Sequence, residues 1–234
     1  MADQRVLFVT GASSGIGAAT ARRAVRAGDR VVLAARREQV LASLVEELGG
    51  AERALAVRCD VTEWGQVTAA VDAALERFGR IDVVFANAGF GAKRGFTEES
   101  VEHWRSMILT NVLGVALTIR ATLPHLLERG DGHYVLTSSI AGRRSLPGSL
   151  YSATKFAVTG IGQSLRGELR EIHGNSSIRV TLIEPGGVET PFFEQPGSGR
   201  LEPDDVARAV LYAIDQPPHV DVSELLILPS AQRG

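Results

Sequence analysis

Hydrophobic residues fall into short, β-branched runs separated by longer segments in which apolar positions recur every three to four residues. Strand-like runs lie at 5–10, 30–35, 54–59, 81–86, 133–138, 179–183 and 224–228. Helical periodicity fills the intervals, at 15–27, 38–48, 63–78, 98–129, 151–172 and 203–215. The strand-like runs are almost continuously apolar rather than alternating, as parallel strands covered by helices on both faces require. This repeated alternation predicts an α/β fold, a Rossmann-type doubly wound parallel sheet with right-handed crossovers. No linker, repeat or low-complexity tract divides the chain, so residues 1–234 read as one domain. The loop-like stretches 90–97, 143–149 and 186–199 each follow a strand-like run or its turn. Ligands bind outside the carboxyl ends of the strands in such sheets. Substrate loops are therefore expected at 90–97, 142–150 and 186–202.

Composition narrows the function. At 44% hydrophobic and 22% charged the chain is ordinary globular material. A net charge of -2 offers no footprint for nucleic acid or an anionic membrane. Cys59 is the sole cysteine, which excludes disulfides and cysteine-based zinc sites, and no metal is expected. The first residues do not resemble a targeting leader, and no apolar run approaches the roughly 20 residues of a membrane span. A cytoplasmic protein is expected.

The first strand runs into Thr10-Gly11-Ala12-Ser13-Ser14-Gly15-Ile16-Gly17 and then a helix. A glycine-rich turn in that place lets a pyrophosphate approach the backbone N–H groups of a helix N-terminus. The second strand ends in Arg36-Arg37 with no acid at its tip. An acid there binds the ribose 2′-hydroxyl of NAD, whereas a guanidinium suits the 2′-phosphate of NADP. With hydroxyls from Ser13 and Ser14 facing it, the site is expected to take NADP(H).

Tyr151 and Lys155 fall one turn apart on a helical segment. A free phenol has a pKa near 10 and is a poor base, but a neighbouring ammonium favours the phenolate. The pair thus offers a general acid/base. Alone the spacing is weak, since tyrosine and lysine meet this way in many helices. Ser139 at a strand end adds a hydroxyl able to bond a carbonyl oxygen. Asn111, an amide in an otherwise apolar helical stretch, needs a partner and is suited to hold a water linked to Lys155.

Taken together, the TGxxxGIG turn at Thr10, Asp60-Val61, Asn87-Ala88-Gly89, the Ser-x-Ala-Gly at Ser139, Tyr151-x-x-x-Lys155 and Pro185-Gly186 resemble the short-chain dehydrogenase/reductase family in their order and along nearly the whole chain. The resemblance implies a seven-stranded sheet of order 3-2-1-4-5-6-7 and a homodimer or homotetramer. It implies catalytic roles for Asn111, Ser139, Tyr151 and Lys155. Tyr151 would exchange the proton, Lys155 would tune it and hold the nicotinamide ribose, Ser139 would orient the substrate oxygen, and Asn111 would anchor a relay water. The cofactor would contact Gly11, Ser13, Ser14, Gly15, Ile16, Gly17, Arg36 and Arg37 at its phosphates. Asp60 and Val61 would meet the adenine. Asn87, Ala88 and Gly89 would line the cleft, and Pro185, Gly186, Val188 and Thr190 would hold the carboxamide. The family's Asn-Asn-Ala-Gly is Ala86-Asn87-Ala88-Gly89 here. The interval from Ser139 to Tyr151 is one residue short of the usual one, which would land on Ser138. Ser139 is the assignment and Ser138 the alternative.

The activity implied is hydride transfer between NADP(H) and a small carbonyl or alcohol. A looser likeness over the C-terminal segment 205–229 points to the 3-hydroxy-acid and serine dehydrogenase branch. The substrate pocket would draw on Phe90, Phe96, Arg143, Leu146, Gly187, Phe192 and Phe193. Arg143 or Arg144 would hold a carboxylate, or stand solvated. A sugar epimerase or dehydratase shares the Tyr-Lys pair but carries a longer substrate region. A non-catalytic NADPH-sensing regulator is the alternative from another class, and it has no need of the four reacting residues together.

Overall fold

The computed structural model describes residues 4–191 and 198–231. Phe192 and Phe193 lie outside the described residues. Seven strands form one parallel sheet in the order β3-β2-β1-β4-β5-β6-β7. They are β1 (Val6–Thr10), β2 (Arg30–Ala35), β3 (Ala54–Arg58), β4 (Val83–Ala86), β5 (Gly132–Thr137), β6 (Ile178–Pro185) and β7 (Glu224–Ile227). The helices are α1 (Gly15–Arg26), α2 (Glu38–Glu47), α3 (Trp64–Phe78), α4 (Val101–Ile108), α5 (Gly114–Arg129), α6 (Leu150–Gly167) and α7 (Pro203–Ile214).

Successive side chains of a strand point to opposite faces, and both faces here are apolar. Val6, Phe8, Val84, Leu136 and Leu182 pack beneath α3, α5 and α6. Leu7, Val9, Phe85, Val135 and Ile183 pack beneath α1, α2 and α7. This double burial is why the strand-like runs are apolar throughout.

Three segments differ from the periodicity. The expected helix at 98–129 is broken by a π-turn at Leu109–Leu113, and the one at 151–172 ends in a second π-turn, Glu168–Ile172. β4 begins after the expected 81, because Ile81 donates its N–H to His125 Nε2 at 3.1 Å instead of entering the ladder. A further difference concerns membranes. Val101–Arg129, taken whole, is 29 residues long with a mean hydropathy of 1.5 in its most apolar part, long and apolar enough to cross a bilayer. Its apolar character has a local use, since Met107, Val115, Ile119 and Leu126 are buried in the protein core.

Candidate active site

The carboxyl ends of β1, β4 and β5 are laced together by side chains. Thr10 Oγ1 accepts from the N–H of Asn87 at 3.0 Å and of Ala88 at 3.1 Å. The Asn87 amide donates to Thr10 O at 3.1 Å and accepts from Thr137 Oγ1 at 3.2 Å. Asn87 is thus a strut between neighbouring strands. It holds the edge of a cleft and spends its polar atoms on the protein.

The glycine-rich turn leads from β1 into α1. Gly11 takes the left-handed conformation, φ +66, that an L side chain resists. A Cβ at Gly17 would lie 2.6 Å from Gly11 O, so the turn and helix can close only on glycine. Ser14 occupies the N-cap position of α1 but makes no side-chain cap, and the first turn carries no acid. The first N–H groups of a helix lack intrahelical partners and attract anions, so this end of α1 suits a pyrophosphate. Thr190 leans over it, with its Cγ2 3.0 Å from where a Gly15 Cβ would be.

At the tip of β2 the two arginines separate. Arg37 reaches back to the turn, bonding Ser13 Oγ at 2.9 Å and Ser14 Oγ at 2.8 Å. Arg36 instead lines a cleft of about 260 Å³ with Asp60, Thr62, Phe90, Ser106 and Thr110. Asp60 Oδ1 is occupied by Thr62, through its N–H at 3.0 Å and its hydroxyl at 2.8 Å. Val61 is buried, and a Cβ at Gly114 would sit 2.6 Å from its Cγ2, so its side chain packs into the core rather than the cleft.

Asn111 lies inside the π-turn and is fully buried. Its Oδ1 accepts from Phe90 N at 3.0 Å, and its Nδ2 donates to Phe90 O at 2.9 Å and Thr154 Oγ1 at 3.1 Å. The amide therefore anchors the start of the 90–97 loop to α6. A Cβ at Gly89 would meet Asn111 Oδ1 at 3.0 Å and Lys155 Nζ at 3.7 Å, which sets Gly89 beside both.

Ser138 and Ser139 face opposite ways. Ser138 Oγ bonds Lys155 O at 3.1 Å and Thr159 Oγ1 at 2.9 Å, beneath α6. Ser139 caps the 3₁₀ turn Ile140–Gly142, accepting from Ala141 N at 3.1 Å, and hydrogen-bonds the Tyr151 side chain. Tyr151 stands in the first turn of α6, whose N-cap Ser149 accepts from Ser152 N at 3.2 Å. Lys155 is buried, lies 5.6 Å from the Tyr151 ring centroid and donates to Thr137 O at 2.7 Å. Burial lowers the Lys155 ammonium to about 8. The expected fall in the tyrosine pKa is not what this structure has. Burial pushes the Tyr151 phenol above its ordinary value, and the Ser139 hydrogen bond pulls it partly back.

At the end of β6, Gly186 N donates to Ile227 O at 2.8 Å, and Val188 is buried in the core and bridges to Leu201. Arg143 is not available to a substrate carboxylate, because Glu184 and Glu224 take both arms of its guanidinium. Phe96 is largely exposed and rests edge-on against Trp104, outside the cleft. Sequence reasoning passed over Thr10, Thr137, Thr154 and Glu184. Glu184 alone carried a signal, as an acid next to the end of a largely apolar strand.

Known proteins share this sequence pattern and fold. The short chain dehydrogenase family model matches residues 5–200. An uncharacterized oxidoreductase of Staphylococcus saprophyticus is 39% identical over 97% of this chain and 98% of its own length. Among solved structures, an alcohol dehydrogenase of the archaeon Thermococcus sibiricus complexed with 5-hydroxy-NADP superposes with a TM-score of 0.87 at 34% identity, covering 99% of both chains. The closed form of serine dehydrogenase complexed with NADP+ gives 0.89 at 31% identity over 98% of this chain and 96% of that one. A short chain dehydrogenase/reductase of Burkholderia phymatum in complex with NAD gives 0.85 at 33% identity over 96% and 89%.

Proposed function

The chain belongs to the short-chain dehydrogenase/reductase family and is an oxidoreductase of that family, and on this footing we propose that it is an NADP(H)-dependent reductase of aldehydes or ketones, working in reverse on the corresponding alcohols. The observation that carries the reading is the meeting of Ser139, Tyr151 and Lys155 at the carboxyl edge of the sheet, beside the uncapped start of α1. The uncapped helix end and the glycine turn fit a dinucleotide pyrophosphate, and Lys155, with one carbonyl partner among the described residues, fits a ribose diol. When bound, the nicotinamide supplies or accepts the hydride. In reduction the Ser139 hydroxyl would turn its proton from Pro185 O to the substrate oxygen. Tyr151 then gives that oxygen its phenolic proton, and the Lys155 ammonium stabilises the phenolate left behind. In oxidation the same proton returns to Tyr151. Asn111 keeps the Phe90 loop in place beside them and would anchor a relay water.

We assign the cofactor as NADP(H) because Arg36 and Arg37 stand where a carboxylate would select NAD. Arg37 and Ser13 would take the 2′-phosphate from one side and Arg36 from the other. Exposed Val101, Ile108, Leu109, Leu113 and Phe156 on α4, α6 and the π-turn favour a homodimer or homotetramer, checked by sedimentation. A cytoplasmic site of action and a single domain over 1–234, with substrate loops at 90–97, 142–150 and 186–202, complete the reading. A small hydroxy acid is the leading substrate class, with its carboxylate bound elsewhere than at Arg143. The test is loss of NADPH absorbance with a panel of aldehydes, ketones and 3-oxo acids, and its gain with serine and 3-hydroxybutanoate. Tight NADPH binding with no turnover of any of these would favour the NADPH-sensing regulator.

A further inference from the structure

Glu184 plays no part in the chemistry above, yet it is fully buried at the carboxyl end of β6. Its carboxylate meets Arg143 Nε, and the same guanidinium reaches Glu224 on β7. The sheet register permits this fork. Leu182 pairs with Glu224, so Glu184 and Glu224 stand on the same face, one strand apart. The arrangement is costly. Burial drives the Glu184 carboxyl above its ordinary range, and Glu184 Oε1 has no hydrogen-bond partner among the described residues. A buried ion pair is weak evidence for stability, so its presence beside a reacting serine asks for another account.

Arg143 also closes the turn that Ser139 opens. Its N–H donates to Ile140 O at 3.0 Å, and the N–H of Gly142 donates to Ser139 O at 2.8 Å. At the other end of the turn, Ser139 Oγ donates to Pro185 O at 3.3 Å. Both ends of one short turn are therefore tied to consecutive residues of β6, Glu184 and Pro185. On its other side the turn lies tight against α6, since a Cβ at Gly142 would be 2.7 Å from Lys155 O. Contact with α6 limits the turn in one direction, and the ion pair holds it in the other.

We propose that the Glu184–Arg143–Glu224 cluster is a positioning device that keeps the Ser139 hydroxyl in register with Tyr151, so that Arg143 acts on the reaction through Ser139 and never touches substrate. The proposal rests on the roles given above to Ser139 and Tyr151. A displacement of about 1 Å at a positioned group is enough to cost roughly a hundredfold in rate. Arg143→Met is expected to lower kcat by at least about tenfold while leaving the KM for NADPH within about twofold.

A double-mutant cycle in the full chain tests this, read as NADPH oxidation with 4-nitrobenzaldehyde, ethyl acetoacetate and methylglyoxal as probes. Ser139→Ala/Arg143→Met is expected to be no slower than Ser139→Ala alone. Arg143→Lys keeps the charge but not the two-armed geometry, and is expected to recover only part of the rate. Removing Arg143 alone leaves an unpaired buried carboxylate, so Arg143→Met/Glu184→Gln is the matched variant. It should melt near the wild-type temperature and still show the loss in kcat. Additive losses in the cycle, or full kcat in the matched variant, overturn the proposal and leave the oxidoreductase reading standing. A raised KM for the carbonyl at unchanged kcat makes Arg143 a substrate contact and overturns it as well. Wild-type protein that turns over none of the probes overturns the reading beneath it, and the positioning role falls with it.

Discussion

Replacing Arg36 with aspartate should invert the cofactor preference. Arg36 borders the cleft shared with Asp60 and Thr62, while Arg37 is bonded to the Ser13 and Ser14 hydroxyls at 2.9 and 2.8 Å. A 2′-phosphate entering between them would exchange hydroxyl partners for charge-assisted bonds to an anion. Such bonds contribute about 1.5–3 kcal/mol each, or about ten- to a hundredfold in affinity. Both arginines are solvent-exposed, and solvent and salt screen them, so the lower end of that range applies to each. Arg37→Met is therefore expected to raise the KM for NADPH about tenfold and to leave that for NADH unchanged. Arg36→Asp goes further, because the new carboxylate repels the 2′-phosphate and can accept a hydrogen bond from a ribose 2′-hydroxyl. NADPH should weaken by well over tenfold while NADH improves. The assay is a matched titration of both cofactors at a fixed, saturating carbonyl concentration, repeated at low and high ionic strength. The NADPH advantage of the wild type should shrink with salt as the Debye length falls from about 10 Å at 0.1 M to about 3 Å at 1 M. A wild type that favours NADH, or an Arg36→Asp variant with an unchanged preference, refutes the reasoning.

Three further outcomes are expected. Lys155→Met should reduce kcat by roughly a hundredfold or more, the span of a general acid/base contribution, with folding intact by circular dichroism; near-normal turnover would remove Lys155 from the proton-transfer machinery. Gly17→Ala places a Cβ 2.6 Å from Gly11 O and 2.9 Å from Asn87 Nδ2. An overpacking cost of about 1–3 kcal/mol and a clear loss of NADPH binding by fluorescence should follow, and unchanged binding would show that the turn has room. His133 ties stability to acid. Thr181 Oγ1 donates to Val222 O at 2.7 Å, so the 2.7 Å bond from His133 Nε2 is a donation and the proton sits on Nε2. Nδ1 is buried without a partner among the described residues, and burial lowers this histidine to about 3. The folded pKa is depressed, so the stabilisation is full above the unfolded value near 6.5 and is lost as pH falls toward the folded one, about 1.4 kcal/mol per pH unit. Urea unfolding at pH 7 and pH 5 should differ by about 2 kcal/mol more in the wild type than in His133→Leu, and equal differences would acquit His133.

Element order and sheet class were legible because double-sided burial writes itself into the sequence as unbroken apolar runs. The π-turns were not. Apolar spacing continues through Leu109–Leu113, and only the hydrogen-bond register changes there, which leaves no mark on composition. Asn111 stood out as an amide in an apolar stretch, but its partners Phe90 and Thr154 are 21 and 43 residues away and could not be paired with it. Spacing left Ser138 and Ser139 open, because the choice depends on the phase of β5 at its last residues. There Ser138 turns under α6 and Ser139 turns toward Tyr151. Arg143 was legible only as a loop cation suited to a carboxylate. The carboxylates it meets belong to the protein, 41 and 81 residues further on.

The two ends of the sheet treat polarity differently, and topology is the cause. At the amino ends, charge is closed off. Arg5 holds Asp29 at 2.9 Å and Asp215 at 2.8 Å, and Asp82 takes the Val6 N–H at 2.8 Å while pairing with Arg80 and Arg129. Arg179 donates to the carbonyls of Ile214, Gln216 and Val220. At the carboxyl ends, apart from the Glu184–Arg143–Glu224 cluster, polar groups are left open. Lys155 has three donors but one hydrogen bond among the described residues, and α1 begins without a side-chain cap. In a parallel sheet every strand-to-helix turn falls on this edge, so the positive end of each following helix gathers here. An anion is attracted to that edge by the fold before any specific side chain is chosen. The buried lysine adds a cation that its surroundings hold near the point of losing its proton. Polar capacity left unused on this one edge is therefore what a chain of this topology has available to bind a dinucleotide and move a proton, and it is where Ser139, Tyr151 and Lys155 stand.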